Sequence, residues 1–188
     1  MSSAFTVMWN RHRVKIAKDH GLPDQRIPFL AGGPHVSQPD FVRAGVTSGD
    51  VIYPVAIRDG IVRVLAAVVA GRILTVEDFR EQHPEFADYQ LHCGAKREAV
   101  LQQYPWLRAV WWTCTDKIVL AARSSRVRFQ TRLPAAMLER LTYASQKRER
   151  GVRGIVDGLL TSPVSLHGIY RLAPSSAADF ASLVSPED

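Results

Sequence analysis

Gly49-Asp50-Val51-Ile52-Tyr53-Pro54-Val55-Ala56-Ile57-Arg58-Asp59-Gly60-Ile61-Val62-Arg63-Val64-Leu65-Ala66-Ala67-Val68-Val69 is the stretch that decides the fold. Two runs rich in β-branched residues flank Asp59-Gly60. A two-residue type I′ turn needs positive φ at both central positions, and Asp-Gly supplies that at little cost. The cluster Thr47-Ser48-Gly49-Asp50 starts the first run as a strand. The second run, Ile61 to Val69, is almost continuously apolar, the pattern of a strand covered on both faces. A hairpin at the centre of a β-rich core follows.

On the N-terminal side, Phe5 to Trp9 reads as a short apolar strand that ends in the polar and basic group Asn10-Arg11-His12-Arg13. Residues 14–45 hold Pro23, Pro28, Pro34, Pro39 and Gly32-Gly33, which predicts a long loop with one helical turn at Asp40 to Ala44. On the C-terminal side, Thr75 with Asp78 resembles a helix N-cap, so a helix is expected over 76–83, ended by His83-Pro84. A second short helix is expected over Lys96 to Tyr104, before Pro105. The aromatic run Trp106 to Cys114, with Trp111 and Trp112, reads as a strand.

Lys117 to Ala122 and Arg126 to Arg132 read as a further hairpin across Arg123-Ser124-Ser125. In its second run Arg126, Arg128 and Gln130 alternate with Val127, Phe129 and Thr131, which sets the arginines on one face. Pro134 opens a helix carrying Met137, Leu138 and Leu141 inward. Residues 142–158 read as a mobile basic loop. A last strand, Val164 to Leu172, precedes Pro174 and a closing helix through Phe180, Leu183 and Val184. About six strands joined mostly by hairpins, with three or four short helices, predict an α+β fold built on a mostly antiparallel, barrel-like sheet.

The 188 residues fit one domain over 1–188, with hydrophobic content of 46% and charged content of 22%. No apolar run approaches the roughly 20 residues of a membrane helix, so no membrane partner is expected. The first residues lack the charged and apolar regions of a secretory signal, and Cys93 and Cys114 are too few for a disulfide framework. A cytoplasmic protein is expected. Net charge is +6, and it is concentrated: residues 123–153 carry nine basic residues against Glu139 and Glu149. Such a block is the footprint of a polyanion partner, or a solvated face in an arginine-rich chain.

Four segments in this order resemble the PUA-like superfamily, and within it the EVE and ASCH groups. They are the strand ending in Trp9-Asn10, the step Gly49-Asp50-Val51-Ile52-Tyr53 with the apolar run after it, Val127 to Arg132 running into Leu133-Pro134, and Ser165 to Pro174. An insertion at about 75–105 exceeds what a minimal PUA-like domain needs. The resemblance implies a pseudo-barrel sheet flanked by short helices that binds RNA or DNA. EVE-type relatives read a modified base in an aromatic pocket, and some ASCH-type relatives are ribonucleases.

Trp9, Asn10, Tyr53 and His167 are the candidate base pocket. An indole face stacks on a base, an amide pairs with its edge, and the first and closing strands are expected to lie side by side. Arg11, Arg126, Arg128, Arg132, Lys147, Arg148, Arg150 and Arg153 are the candidate phosphate contacts. The equally bland reading makes Trp9 a core plug and Asn10 a turn cap. For a metal-independent ribonuclease, His12, His167, Tyr170 and Arg171 would supply base, acid and cation. A protein-interaction module without nucleic acid is the third class. His92, Cys93 and Cys114 lack metal-ligand spacing, so neither a metal nor a cofactor is expected.

Overall fold

Asp59 and Gly60 have φ of 53° and 75°. They make the expected left-handed turn between β3 (Val51–Arg58) and β4 (Ile61–Val64), whose registers run from Val55↔Val64 to Arg58↔Ile61. The computed structural model describes residues 2–33, 39–84, 102, 105, 115–145 and 148–187. The helix expected over Lys96 to Tyr104, the strand Trp106 to Cys114, His92, Lys147 and most of the 75–105 insertion lie outside the described residues.

The single strand expected from Ile61 to Val69 is two strands, β4 and β5 (Val68–Thr75). Pro54 is the physical reason. Leu65 N–H donates to the Pro54 carbonyl (2.8 Å), but proline has no N–H with which to return the bond. The Leu65 carbonyl instead accepts the N–H of Arg128 (2.8 Å). Ala67 turns the same way: its carbonyl accepts Ser125 N–H (2.9 Å) and its own N–H donates to Ser125 Oγ (2.9 Å). Pairing with β3 then resumes as Ile52↔Val68, one residue out of step with Val55↔Val64, as at a β-bulge.

The same bonds settle the course of residues 125–133. The expected hairpin with 117–122 does not form. β6 (Lys117–Ser124) pairs instead with β5 on one side and β2 (Phe29–Gly32) on the other. The chain then runs on beside residues 62–67, with Val64 N–H on Thr131 O (3.0 Å) and Leu133 N–H on Val62 O (2.9 Å). Its other edge reaches residues 24–25, through Val127 N–H on Gln25 O (2.8 Å) and Asp24 N–H on Val127 O (2.9 Å). The expected alternation survives without a regular strand: Val127 and Phe129 are buried, whereas Arg126, Arg128, Gln130 and Arg132 are exposed.

The main sheet has the order β11-β1-β3-β5-β6-β2, with β4 also on β3, where β1 is Ala4–Trp9 and β11 is Ile169–Arg171. Among the described residues only β1 and β3 pair in parallel, so the sheet is mostly antiparallel. As expected, the closing strand lies beside the first, with Phe5↔Arg171 and Val7↔Ile169. It is shorter than expected because Pro163–Leu166 forms a 3-10 turn and Gly168 sits at φ 122°. Helices α1 (Arg11–Asp19) and α2 (Val76–Gln82) cover one face, where Trp9, Ala17, Phe79 and Phe129 pack together. Helices α3 (Ala135–Glu139) and α4 (Pro174–Leu183) cover the other, with Tyr53, Leu138 and Phe180. The fold is α+β, a large sheet flanked by a few helices.

Two differences bear on function. α1 occupies part of a stretch expected to be loop. The 142–158 stretch expected to be mobile contains short strands, β7 (Thr142–Tyr143) paired with β8 (Arg150–Gly151), and β9 (Ile155–Val156), whose partner β10 (Leu159–Leu160) lies just beyond it. At the other end, Asp50 ties the chain start to β3 by accepting from Ser3 N–H (2.6 Å), Thr47 N–H (2.8 Å) and Thr47 Oγ1 (3.0 Å).

Pro54→Ala tests the account of the bulge. The new N–H faces a carbonyl already held by Arg128, and alanine also loosens the unfolded chain, so stability is expected to fall by about 1–3 kcal/mol. Urea unfolding measures it, and a variant as stable as the parent would sink the account.

Candidate nucleic-acid interface

Asn10 caps α1, its Oδ1 accepting the N–H of Arg13 at 2.8 Å. The helical period then divides the basic residues. Arg11, Val14, Lys15 and Lys18 share one face, and Arg13 and Ala17 point to the core. Arg13 is only 4% exposed, and its guanidinium lies 4.5 Å above the Trp9 ring centroid. Burial pushes its pKa down to about 9, which still leaves a cation at neutral pH.

Three concavities adjoin one another here, and the outward face of α1 borders the first two. The first, of about 340 Å³, has an apolar floor that includes Leu65 and Phe129 and a rim of Arg11, Lys15, Lys18, Arg58 and Arg63. It shares Lys18, Phe129 and Gln130 with the second, of about 680 Å³, which adds Arg128 and Asp24. The second shares Arg128 and Thr131 with the third, of about 370 Å³, which adds Arg126. Together they trace one groove along residues 125–131, walled by α1 at the first two concavities and by Leu183 and Val184, at the end of α4, at the third. The bulge at Pro54 builds it, because the bond from Arg128 N–H to the Leu65 carbonyl is what sets this segment beside β4.

Local contacts fix some of these cations and leave others open. Lys18 Nζ lies 5.0 Å over the Phe129 ring, Arg63 donates to the Phe129 carbonyl (3.2 Å), and Arg126 to the Asp24 carbonyl (2.9 Å). Each keeps its charge while its position is narrowed. Lys15 pairs with Asp19, and that hydrogen bond holds the Asp19 carboxyl below the usual range. This exposed pair is worth little to stability but takes one charge from the rim. Arg11 and Arg128 have no side-chain partner among the described residues.

The basic block read in the sequence is not one surface. Arg123 pairs with Glu187 (3.2 Å), and Arg140 makes a two-pronged pair with Asp179 (2.7 and 2.9 Å), so neither is available to a ligand without breaking a bond. Arg126 and Arg128 line the groove together with Arg11. Arg132 is exposed and its backbone bridges to Arg63, but it lines none of the three concavities. Arg148, Arg150 and Arg153 line a different cleft with no residue in common. Sequence reasoning missed Lys15, Lys18, Arg58 and Arg63, although Asn10 as a cap and the 11-15-18 spacing were signals of the helix face.

The base pocket drawn from Trp9, Asn10, Tyr53 and His167 requires correction. Trp9 is 1% exposed and Tyr53 2%, and the two sit in cores on opposite faces of the sheet. Register explains the separation: Tyr53 pairs with Thr6, and Thr6 and Trp9 are an odd number of residues apart along β1. A ring covered by Arg13 offers no stacking face. Burial also pushes the Tyr53 hydroxyl up to about 12. Asn10 caps the helix, and His167 is exposed after the 3-10 turn. Of the ribonuclease set, His12 and Arg171 are exposed, and no bond joins His12 to His167 among the described residues.

Trp9→Ala removes a fully buried ring, so it is expected to cost about 3–5 kcal/mol in unfolding free energy. A loss below about 1 kcal/mol in a urea melt would mean the ring is not a core element.

No protein-family model matches the chain, and no curated protein matches it in sequence. Among solved structures it is similar to an ASCH protein from Zymomonas mobilis, with 11% identity over 97% of this chain and 96% of that one, and a TM-score of 0.35. Two variants of that protein match alike, at 11% and 12% identity with TM-scores of 0.34 and 0.35. At such values function is read from this chain's own groove.

Proposed function

We propose that this protein is a nucleic-acid-binding module that holds phosphates along the groove between α1 and residues 125–131. One observation carries the reading: three adjoining concavities are rimmed by Arg11, Lys15, Lys18, Arg58, Arg63, Arg126 and Arg128, against Asp19 and Asp24. Phosphate contacts of this kind supply most of the affinity for a polyanion and fix its register, whatever the sequence. An elongated groove suits a strand better than a compact anion, since the cations follow one another along it.

The resemblance of the chain to the PUA-like superfamily, drawn from the order of its residues, points the same way. Any reading of a base in this proposal belongs to groups other than Trp9 and Tyr53, which are needed in the two cores. Gln130 at the seam of the first two concavities is the uncharged amide best placed to contribute.

The test is binding of labelled 12-nucleotide single-stranded RNA and DNA across a salt series. Lys18→Gln, Arg126→Gln and Arg128→Gln combined should weaken binding at least about tenfold and lower the salt slope by about two units. Arg123→Gln, whose guanidinium is paired with Glu187, should leave both unchanged. Equal affinity and slope in the triple variant would overturn the proposal.

A further inference from the structure

We propose that the cleft between the β7–β8 pair and β11 binds a phosphate monoester carried on an aromatic ring system, the class to which nucleoside 5′-monophosphates belong. The cleft has a volume of about 640 Å³. That is too large for a lone inorganic anion and within the range of small-molecule sites. It shares no lining residue with the groove beside α1, so this inference stands apart from the proposed nucleic-acid function.

Arg148, Arg150 and Arg153 line it, and their guanidinium groups make no hydrogen bond or ion pair with any described residue. The backbone that carries them is held at each arginine. Ser145 Oγ donates to the Arg148 carbonyl, Arg150 pairs with Tyr143 across β7–β8, and Ser165 Oγ donates to the Arg153 carbonyl (3.0 Å). Three unengaged guanidiniums, carried on a held backbone, share the cleft with one acid, Glu149, which itself accepts from the Thr142 hydroxyl (3.2 Å). The excess of two positive charges matches a phosphate monoester, which carries nearly two negative charges at neutral pH. Guanidinium forks also suit its oxygens better than point charges do.

The aromatic half of the ligand is called for by Tyr170. Its half-buried ring lines the cleft, packs against Tyr143 in a tilted contact (5.0 Å between centroids, 36°), and is fixed by its hydroxyl donating to the His167 carbonyl (2.8 Å). A ring held from behind and by its tip loses little freedom when a second ring packs on it. No aromatic lines the third concavity of the groove, and the phenylalanine of the first two is buried, so a stacking wall beside free guanidiniums distinguishes this cleft.

The experiment is calorimetric or NMR titration of the full chain with adenosine 5′-monophosphate, with inorganic phosphate and with adenosine. The nucleotide should bind at least about tenfold more tightly than either fragment, since only it engages both halves of the cleft. Arg150→Gln with Arg153→Gln should weaken the nucleotide about tenfold or more. Both side chains are exposed, so the fold should persist, with circular dichroism as the check. Tyr170→Leu should weaken the nucleotide but not inorganic phosphate, and Tyr170→Phe, which keeps the ring but loses the hydroxyl that fixes it, should weaken the nucleotide less than Tyr170→Leu does. Lys18→Gln with Arg128→Gln, in the other groove, should change nothing. Equal binding of nucleotide and inorganic phosphate, or nucleotide binding unaffected by the double arginine change, would overturn the proposal.

Discussion

Proline has no backbone N–H, and Pro54 places that deficit in the middle of the central strand. The partner strand makes its half of the bond there, and its own carbonyl is left free. An unpaired carbonyl in a sheet interior is costly, so another segment supplies the donor. Arg128 does so, and with it residues 125–133 are drawn along the far side of β4, where Thr131 and Leu133 add further bonds. Phe129 is thereby buried and the residues between are turned outward. The groove is a by-product of solving one hydrogen-bond deficit.

Burial and charge are kept apart by the same construction. Apolar residues of 125–133 fill the core shared with Trp9 and α1, and the arginines between them reach solvent. Where a cation does enter the core, as Arg13 does, it lies on an aromatic face and its charged form is disfavoured by desolvation. The rest of the basic block is apportioned by pairing. Arg123 and Arg140 are tied to carboxylates from the C-terminal part of the chain, which leaves Arg126 and Arg128 on the groove and Arg148, Arg150 and Arg153 on the separate cleft. Total charge would suggest one diffuse basic face; the pairing makes two distinct ones.

What was legible in the sequence was local chemistry. Asp59-Gly60 named its turn, Thr75 its helix cap, Pro174 the start of the last helix, and the arginine alternation its exposed edge, because each depends on a few neighbouring residues. What failed depended on partners distant in the chain. The Ile61 to Val69 run looked continuous because Pro54 acts from the opposite strand. β1 beside β3 in parallel is set by a crossover, and it decides that Trp9 and Tyr53 face apart. α1 was hidden because its inward face is led by an arginine, where an apolar residue is the usual signal. The cleft around Tyr170 is half visible in the sequence: its arginines read as phosphate contacts, but the pairing of β7 with β8 that gathers them depends on bonds between separated residues.

The central claim is that phosphates run along α1 and residues 125–131, and amide chemical-shift mapping addresses it most directly. On addition of a 12-nucleotide single-stranded RNA, the account predicts saturable shifts concentrated in Arg11 to Asp19 and Val127 to Thr131, fading as salt rises. Shifts absent from both segments while the RNA binds elsewhere, or no binding at low salt, would contradict it.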